Sequence, residues 1–367
     1  MTLNVKWISV CGPAILLALA LMQGTPPITA ARGSAAVGSS LAQARITNAT
    51  HLVPVYINGK TYLFELGRWW VVNDDPAKGI APARQDPLWS ANYLALRTFT
   101  MNDRAGIFGL HTGVTLQAAQ DSGFMPSGSV GANVWLLADD PAKGFQLSLK
   151  GGKMSRNYRQ VVTFQANRKP YVLGLHEDVG ANIWRLKESG RSVTMELAPK
   201  RNRMSRYYSQ LEVFYMDGHP YLFGLHQTPS FKHEAEANIW RVKEDPFDGI
   251  DLVMKGKRFH PYDYVRSFRV NDRPYLLTVN MPIPDTRFES VDAAAAIWEI
   301  MGPPGSPSLR RATAKSIPMG EYLNIITFEQ NEEVYVLGVR PGGSVNIWRV
   351  NENPDSGITL VYRGDTN

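Results

Sequence analysis

The chain has 367 residues, 44% of them hydrophobic and 20% charged, with a formal net charge of +6. These are globular values and exclude a wholly disordered chain. The basic balance favours acidic partners such as phosphates, anionic glycans or membrane surfaces, and the single cysteine, Cys11, excludes a disulfide framework.

Residues 1–31 read as a secretory signal peptide. Lys6 supplies a positive start, Ala14 to Met22 form an apolar run, and Pro26 and Pro27 break it before the small residues Thr29-Ala30-Ala31. A second small-residue site is Ala42-Gln43-Ala44. The apolar run is short for a membrane span, so no transmembrane segment is expected after cleavage. Cleavage would remove Cys11 and place the protein in a periplasmic or extracellular setting. Residues 32–45 are expected to form a flexible N-terminal segment.

From residue 46 onward one phrase recurs. Pro170-Tyr171-Val172-Leu173-Gly174-Leu175-His176 leads to Asn182-Ile183-Trp184-Arg185, and Pro220-Tyr221-Leu222-Phe223-Gly224-Leu225-His226 leads to Asn238-Ile239-Trp240-Arg241. Fainter copies place the equivalent tryptophans at Trp70, Trp135, Trp184, Trp240, Trp298 and Trp348. Upstream, a tyrosine (Tyr93, Tyr158, Tyr208, Tyr262, Tyr322) precedes a phenylalanine by six positions. Downstream, turns such as Asp75-Pro76-Ala77-Lys78-Gly79 precede a short apolar strand. β-branched and aromatic runs separated by Asn-Gly, Asp-Gly and Pro/Gly turns predict four strands in each copy. Four strands in roughly fifty residues is the length of a propeller blade. The expected fold is all-β: a six-bladed β-propeller, four antiparallel strands per blade. The expected blades are about residues 46–88, 89–150, 151–200, 201–255, 256–312 and 313–367. The repeated aromatics read as packing between blades. The glycine before Leu-His reads as a site of close approach between neighbouring blades, and the Asn before Ile-Trp as a turn or strand-start residue.

Antiparallel order sorts the loops onto two faces. One carries short turns. The other carries the blade connectors and three long loops, Thr112 to Gly131, Gln227 to Glu236 and Met281 to Ala295. Long loops on a rigid scaffold commonly carry function. This rim is also basic, with Lys150, Lys153, Arg159, Lys200, Arg201, Arg203, Lys255, Lys257, Arg258, Arg310, Arg311 and Lys315. Two connectors share Met-Ser-Arg, at Met154-Ser155-Arg156 and Met204-Ser205-Arg206. The candidate ligand-binding residues are therefore His111, His176, His226, Arg156, Arg206, Tyr158 and Tyr208. The arginines would supply guanidinium forks for an anion or hydroxyl, and the tyrosines faces for a sugar ring.

No nucleophile elbow, phosphate loop or His-Glu-x-x-His helix occurs, and the seven histidines show no tight ligand spacing. No catalytic residue, metal or cofactor is expected, and no specific nucleic-acid partner. At Asn167 to Leu175 with Ile183-Trp184-Arg185, and at Asp217 to Leu225 with Ile239-Trp240-Arg241, the chain resembles secreted bacterial propeller-repeat proteins, with tachylectin-like and bacterial propeller lectins as the nearest named architecture. The resemblance implies an exported, lectin-like binding protein for a carbohydrate or anionic glycan. The alternatives are a propeller scaffold for an envelope protein partner, and a hydrolase or lyase with a rim site of another design.

Overall fold

A computed structural model describes residues 45–86, 89, 92–111, 131–154, 158–176, 180–190, 192–227, 234–281 and 293–364. The expected signal and both expected cleavage sites, Ser155, Arg156 and most of the three long rim loops lie outside the described residues.

The described chain folds into six sheets, each a meander of consecutive antiparallel strands. Blade one comprises Val53–Ile57 (β1), Lys60–Glu65 (β2), Arg68–Val72 (β3) and Ile80–Gln85 (β4). Blade two has Tyr93–Met101 (β5), Arg104–His111 (β6), Gly131–Leu137 (β7) and Phe145–Lys153 (β8). Blade three has Tyr158–Ala166 (β9), Lys169–His176 (β10), Gly180–Ser189 (β11) and Ser192–Leu197 (β12). Blade four follows with Tyr208–Met216 (β13), His219–His226 (β14), Ala235–Val242 (β15) and Ile250–Phe259 (β16). Blade five has Tyr264–Val270 (β17), Arg273–Asn280 (β18), Ala294–Met301 (β19) and Ser308–Arg311 (β20), and a short return strand, Ile317–Pro318 (β21), pairs with β19. Blade six is Asn324–Gln330 (β22), Glu333–Val339 (β23), Val345–Val350 (β24) and Ile358–Arg363 (β25). This is the six-bladed all-β propeller expected from the repeat.

The ring closes because each blade is apolar on both faces. Six buried clusters form, each shared by two neighbouring blades; one joins Val162 and Leu173 of blade three to Tyr208, Leu211 and Leu222 of blade four. The first strands β1, β5, β9, β13, β17 and β22 touch in ring order, the last against the first, so they surround the axis. Closure needs no strand exchange. Asn324 Nδ2 donates to Ala49 O at 2.7 Å, and Thr61 N to Gln330 Oε1 at 3.1 Å.

The short-turn face is built as its sequence demands. Asp75, Asp140, Asp245 and Asn353 each cap a one-turn 3-10 helix by accepting from the backbone N–H two residues on. Gly79, Gly144, Gly249 and Gly357 end these turns at positive φ.

Candidate functional site

The histidines end β6, β10 and β14 on the connector face, and each sits opposite the tyrosine that opens its blade. The pairs Tyr93/His111, Tyr158/His176 and Tyr208/His226 meet edge to face at 5.1, 5.3 and 5.3 Å. Burial lowers the pKa of His111 and of His226, for which nearby Glu236 pulls the other way, so both are neutral at pH 7.

Tyr158 and Tyr208 are each only 5% exposed. The Tyr158 hydroxyl accepts from Asn182 Nδ2 at 2.6 Å, and that of Tyr208 from Asn238 Nδ2 at 3.0 Å and Trp240 Nε1 at 3.1 Å. Burial raises both phenol pKa values. Taken up in this way, the rings offer no open face for a sugar. The half-buried aromatic beside them is Tyr207, one residue earlier.

The same contacts revise two packing expectations. A Cβ on Gly174 would lie 2.7 Å from the Tyr158 ring, and one on Gly224 would lie 2.5 Å from the Tyr208 ring. The glycine thus makes room for its own blade's tyrosine, not for a neighbouring blade. The Asn before Ile-Trp is a strand residue whose amide holds that tyrosine's hydroxyl. In blades two and four its Oδ1 also accepts from a backbone N–H of the fourth strand, Gly151 at 2.9 Å and Gly256 at 2.8 Å.

Blade four gathers polar groups of the rim. Ser205 Oγ and His226 Nε2 share a hydrogen bond of 2.7 Å, and the Tyr207 N–H donates to the same Oγ at 3.2 Å. Exposed Arg206 lies over the Tyr207 ring, its Cζ 4.9 Å from the centroid, and donates to the Tyr207 hydroxyl at 2.8 Å. The Tyr207 ring stands perpendicular to His226 at 6.1 Å. Lys200, Arg201 and Arg203 are exposed on the preceding connector. One cation assigned to the rim belongs elsewhere: Arg310 is in β20, where it pairs with Glu299 at 2.5 Å and with Asp355, at the short-turn end of blade six, at 3.2 Å. These carboxylates raise its pKa. Arg258 pairs with Glu234.

A second set of charges lies on the first strands themselves. Arg97 of β5, Glu212 of β13 and Arg266 of β17 occupy one repeat position, two before the blade phenylalanine, where the other blades carry Val53, Val162 and Ile326. The break in an otherwise aliphatic column is visible in the aligned repeat. That the column surrounds the axis follows only from ring closure. Among the described residues no group of three or more His, Cys, Asp or Glu side chains is placed to hold a metal ion. No helix among them is long and apolar enough to cross a membrane.

No family model matches the chain, and no curated protein sequence matches it. Among solved structures it is similar to the lectin of Aleuria aurantia in complex with Fucα1-6GlcNAc, at 12% identity over 87% of this chain and 97% of that one, TM-score 0.47. It is also similar to the Bacteroides ovatus protein titled Xyloglucan PUL GH43B, at 9% identity over 83% and 68%, TM-score 0.45. A third is an α-L-arabinofuranosidase from Clostridium thermocellum, at 11% identity over 72% and 91%, TM-score 0.42. Likeness this distant leaves the function to be read from the residues.

Proposed function

We propose that this is an exported binding protein whose connector rim recognises an anionic carbohydrate, at a site centred on Ser205, Arg206, Tyr207 and His226. The observation that carries the reading is the blade-four cluster: an exposed guanidinium, a half-buried aromatic, a hydroxyl and a neutral imidazole in contact with one another on a basic connector. A guanidinium recognises a carboxylate or sulfate, while hydroxyl and imidazole groups suit sugar hydroxyls. Arg156 holds the equivalent sequence position in the Met-Ser-Arg connector before blade three and would supply a second guanidinium to the ligand. Residues 1–31 would direct export.

A glycan array probed with the mature protein tests the reading, which expects binding confined to acidic sugars and weakened by salt. Uniform silence of acidic glycans on the array would refute it. Mass spectrometry of the N-terminus tests export, since a mature chain beginning at Met1 is incompatible with a cleaved signal.

A hydrolytic role is the second reading, favoured by the Ser205–His226 pair, in which a neutral imidazole sits within reach of a hydroxyl. Among the described residues, however, His226 Nδ1 has no hydrogen-bond partner, whereas a triad needs a carboxylate there to orient the ring.

A further inference from the structure

The charges around the axis are not used by the rim reading. The side chain at their repeat position leans toward the following blade: Val162 packs in one cluster with Tyr208 and Leu211. Arg266 donates through Nε to Ile325 O at 2.5 Å and through a terminal nitrogen to Asn324 Oδ1 at 3.2 Å, both in blade six. Arg97, Glu212 and Arg266 thus come from three first strands at one level of the channel. They interact electrostatically. Desolvation lowers the pKa of Arg97, with Arg266 adding to the effect and Glu212 opposing it, while desolvation raises the pKa of Glu212 against the pull of Arg266, the Ser267 N–H and Arg97. All three residues are half-buried.

Arg266 also donates through its other terminal nitrogen to Val265 O at 2.7 Å and lies 5.5 Å from the Tyr264 ring centroid, whereas the hydrogen bonding of Arg97 and Glu212 is sparse. Glu212 accepts from Ser267 N at 3.2 Å. The Arg97 guanidinium donates to its neighbour's carbonyl, Leu96 O, at 2.8 Å. Among the described residues Arg97 makes no other hydrogen bond, and neither arginine is within ion-pair distance of Glu212. Two guanidinium groups and one carboxylate leave this level with one excess positive charge. Toward the short-turn end, Arg269, Glu329 and exposed Asp272 follow; the 2.9 Å contact of Arg269 with Asp272 balances that cation locally. An excess cation surrounded by protein is costly unless a counter-charge joins it. Aliphatic residues fill the same position in the other three blades, so the fold itself does not require charge there.

We propose that the central channel binds a small oxyanion through the Arg97 and Arg266 guanidinium groups, with Glu212 setting the local charge so that a single anion neutralises the level. The chemistry fits a carboxylate, phosphate or sulfate group. Paired guanidinium groups provide charge-assisted donors for any of them.

Calorimetric titration of the mature protein with sodium phosphate, sodium sulfate and sodium acetate, each against sodium chloride at matched ionic strength, tests this. Saturable binding of at least one oxyanion is expected, and the strongest of the three identifies the group preferred. Arg97→Val is the informative variant, because valine occupies this position in blades one and three and the ring is expected to fold with it. It should weaken binding on the order of tenfold or more, the scale of one lost charge-assisted pair. Glu212→Gln should strengthen binding by removing a like charge, and Lys78→Ala, on the short-turn face, should leave it unchanged. The proposal is overturned if no oxyanion binds saturably up to about 20 mM, or if Arg97→Val binds as the parent does. Anion binding that survives Arg97→Val but disappears in Arg206→Ala would assign the site to the rim instead.

Discussion

Blades four and one solve the same packing problem with different chemistry. In blade four, Tyr208 lies over Gly224 and its hydroxyl accepts from Asn238 and Trp240. In blade one the three equivalent places hold Ala49, Glu65 and Arg68. The Glu65 carboxylate, 1% exposed, fills the room left by the missing ring and accepts from the Thr47 N–H and hydroxyl at 2.7 and 2.8 Å, from the Asn48 N–H, and from Trp70 Nε1 at 3.3 Å. Blade five is a third case: Thr278 replaces the glycine, Ala296 the Asn, and the Tyr262 ring rests on Phe259 at 5.4 Å instead. Glycine and Asn therefore change together, with the tyrosine lost in blade one and turned to Phe259 in blade five. What these three blades each supply is an acceptor for the tryptophan and a filled space beneath the rim, and a ring, a carboxylate or a hydroxyl can do so. In blade five that acceptor is Thr278 Oγ1, 3.2 Å from Trp298 Nε1.

The sharpest way to break this comparison is Glu65→Gly, which gives blade one the glycine of blade four without its tyrosine. Four donors lose their acceptor and a cavity opens, for an expected loss on the order of 3–5 kcal/mol in urea unfolding. A loss below about 1 kcal/mol would mean that Glu65 does not substitute for the ring. Gly224→Ala drives a methyl group into the Tyr208 ring, with an expected cost of about 1–3 kcal/mol. Combined with Tyr208→Ala the cost should be clearly less than additive, because the clash disappears with the ring. Strict additivity would disprove the coupling. Tyr208→Phe keeps the ring but removes the acceptor for Asn238 and Trp240, so about 1–2 kcal/mol should be lost while affinity at the rim is retained.

A smaller effect depends on pH and involves the axis. Burial pushes Glu329 up to about 7, with Arg269 opposing. Between the ordinary carboxylate pKa and about 7 the folded state holds a proton that the unfolded state has released. The stability contributed by the neutral carboxyl is thus present at low pH and declines as pH rises through that window. Glu329→Gln should stabilise the protein at pH 8, by on the order of 1 kcal/mol, and do little at pH 4. Thermal melts at the two values check this, and an equal effect at both would contradict it.

Much of the scaffold is legible in the chain because the repeat is carried by large, chemically distinctive residues. Trp184 and Trp240 mark the third strands, and Asp-Pro-x-x-Gly marks the turns before the fourth, so blade number and loop faces follow directly. The site was less legible. Tyr208 opens β13 and is buried, while Tyr207, in the turn before it, is half-buried beside Arg206; a β-bulge after Tyr208 disturbs the period from which the two could be told apart. Arg310 resembles a connector cation until folding brings Glu299 and Asp355 to it, from another strand and another blade. Charges at the position of Arg97, Glu212 and Arg266 stand out in the repeat, yet their meeting depends on three blades separated by long stretches of chain.

The most direct measurement for the rim is the affinity of the acidic glycan identified on the array for the parent protein and for Arg156→Ala with Arg206→Ala, at two salt concentrations. Exposed charges are screened within about 10 Å at 0.1 M salt, so parental affinity should fall as salt rises. The double variant should bind at least about tenfold more weakly, with a shallower salt dependence and unchanged melting temperature. Equal affinity and an equal salt slope for the two proteins would contradict an anion-binding rim centred on blade four.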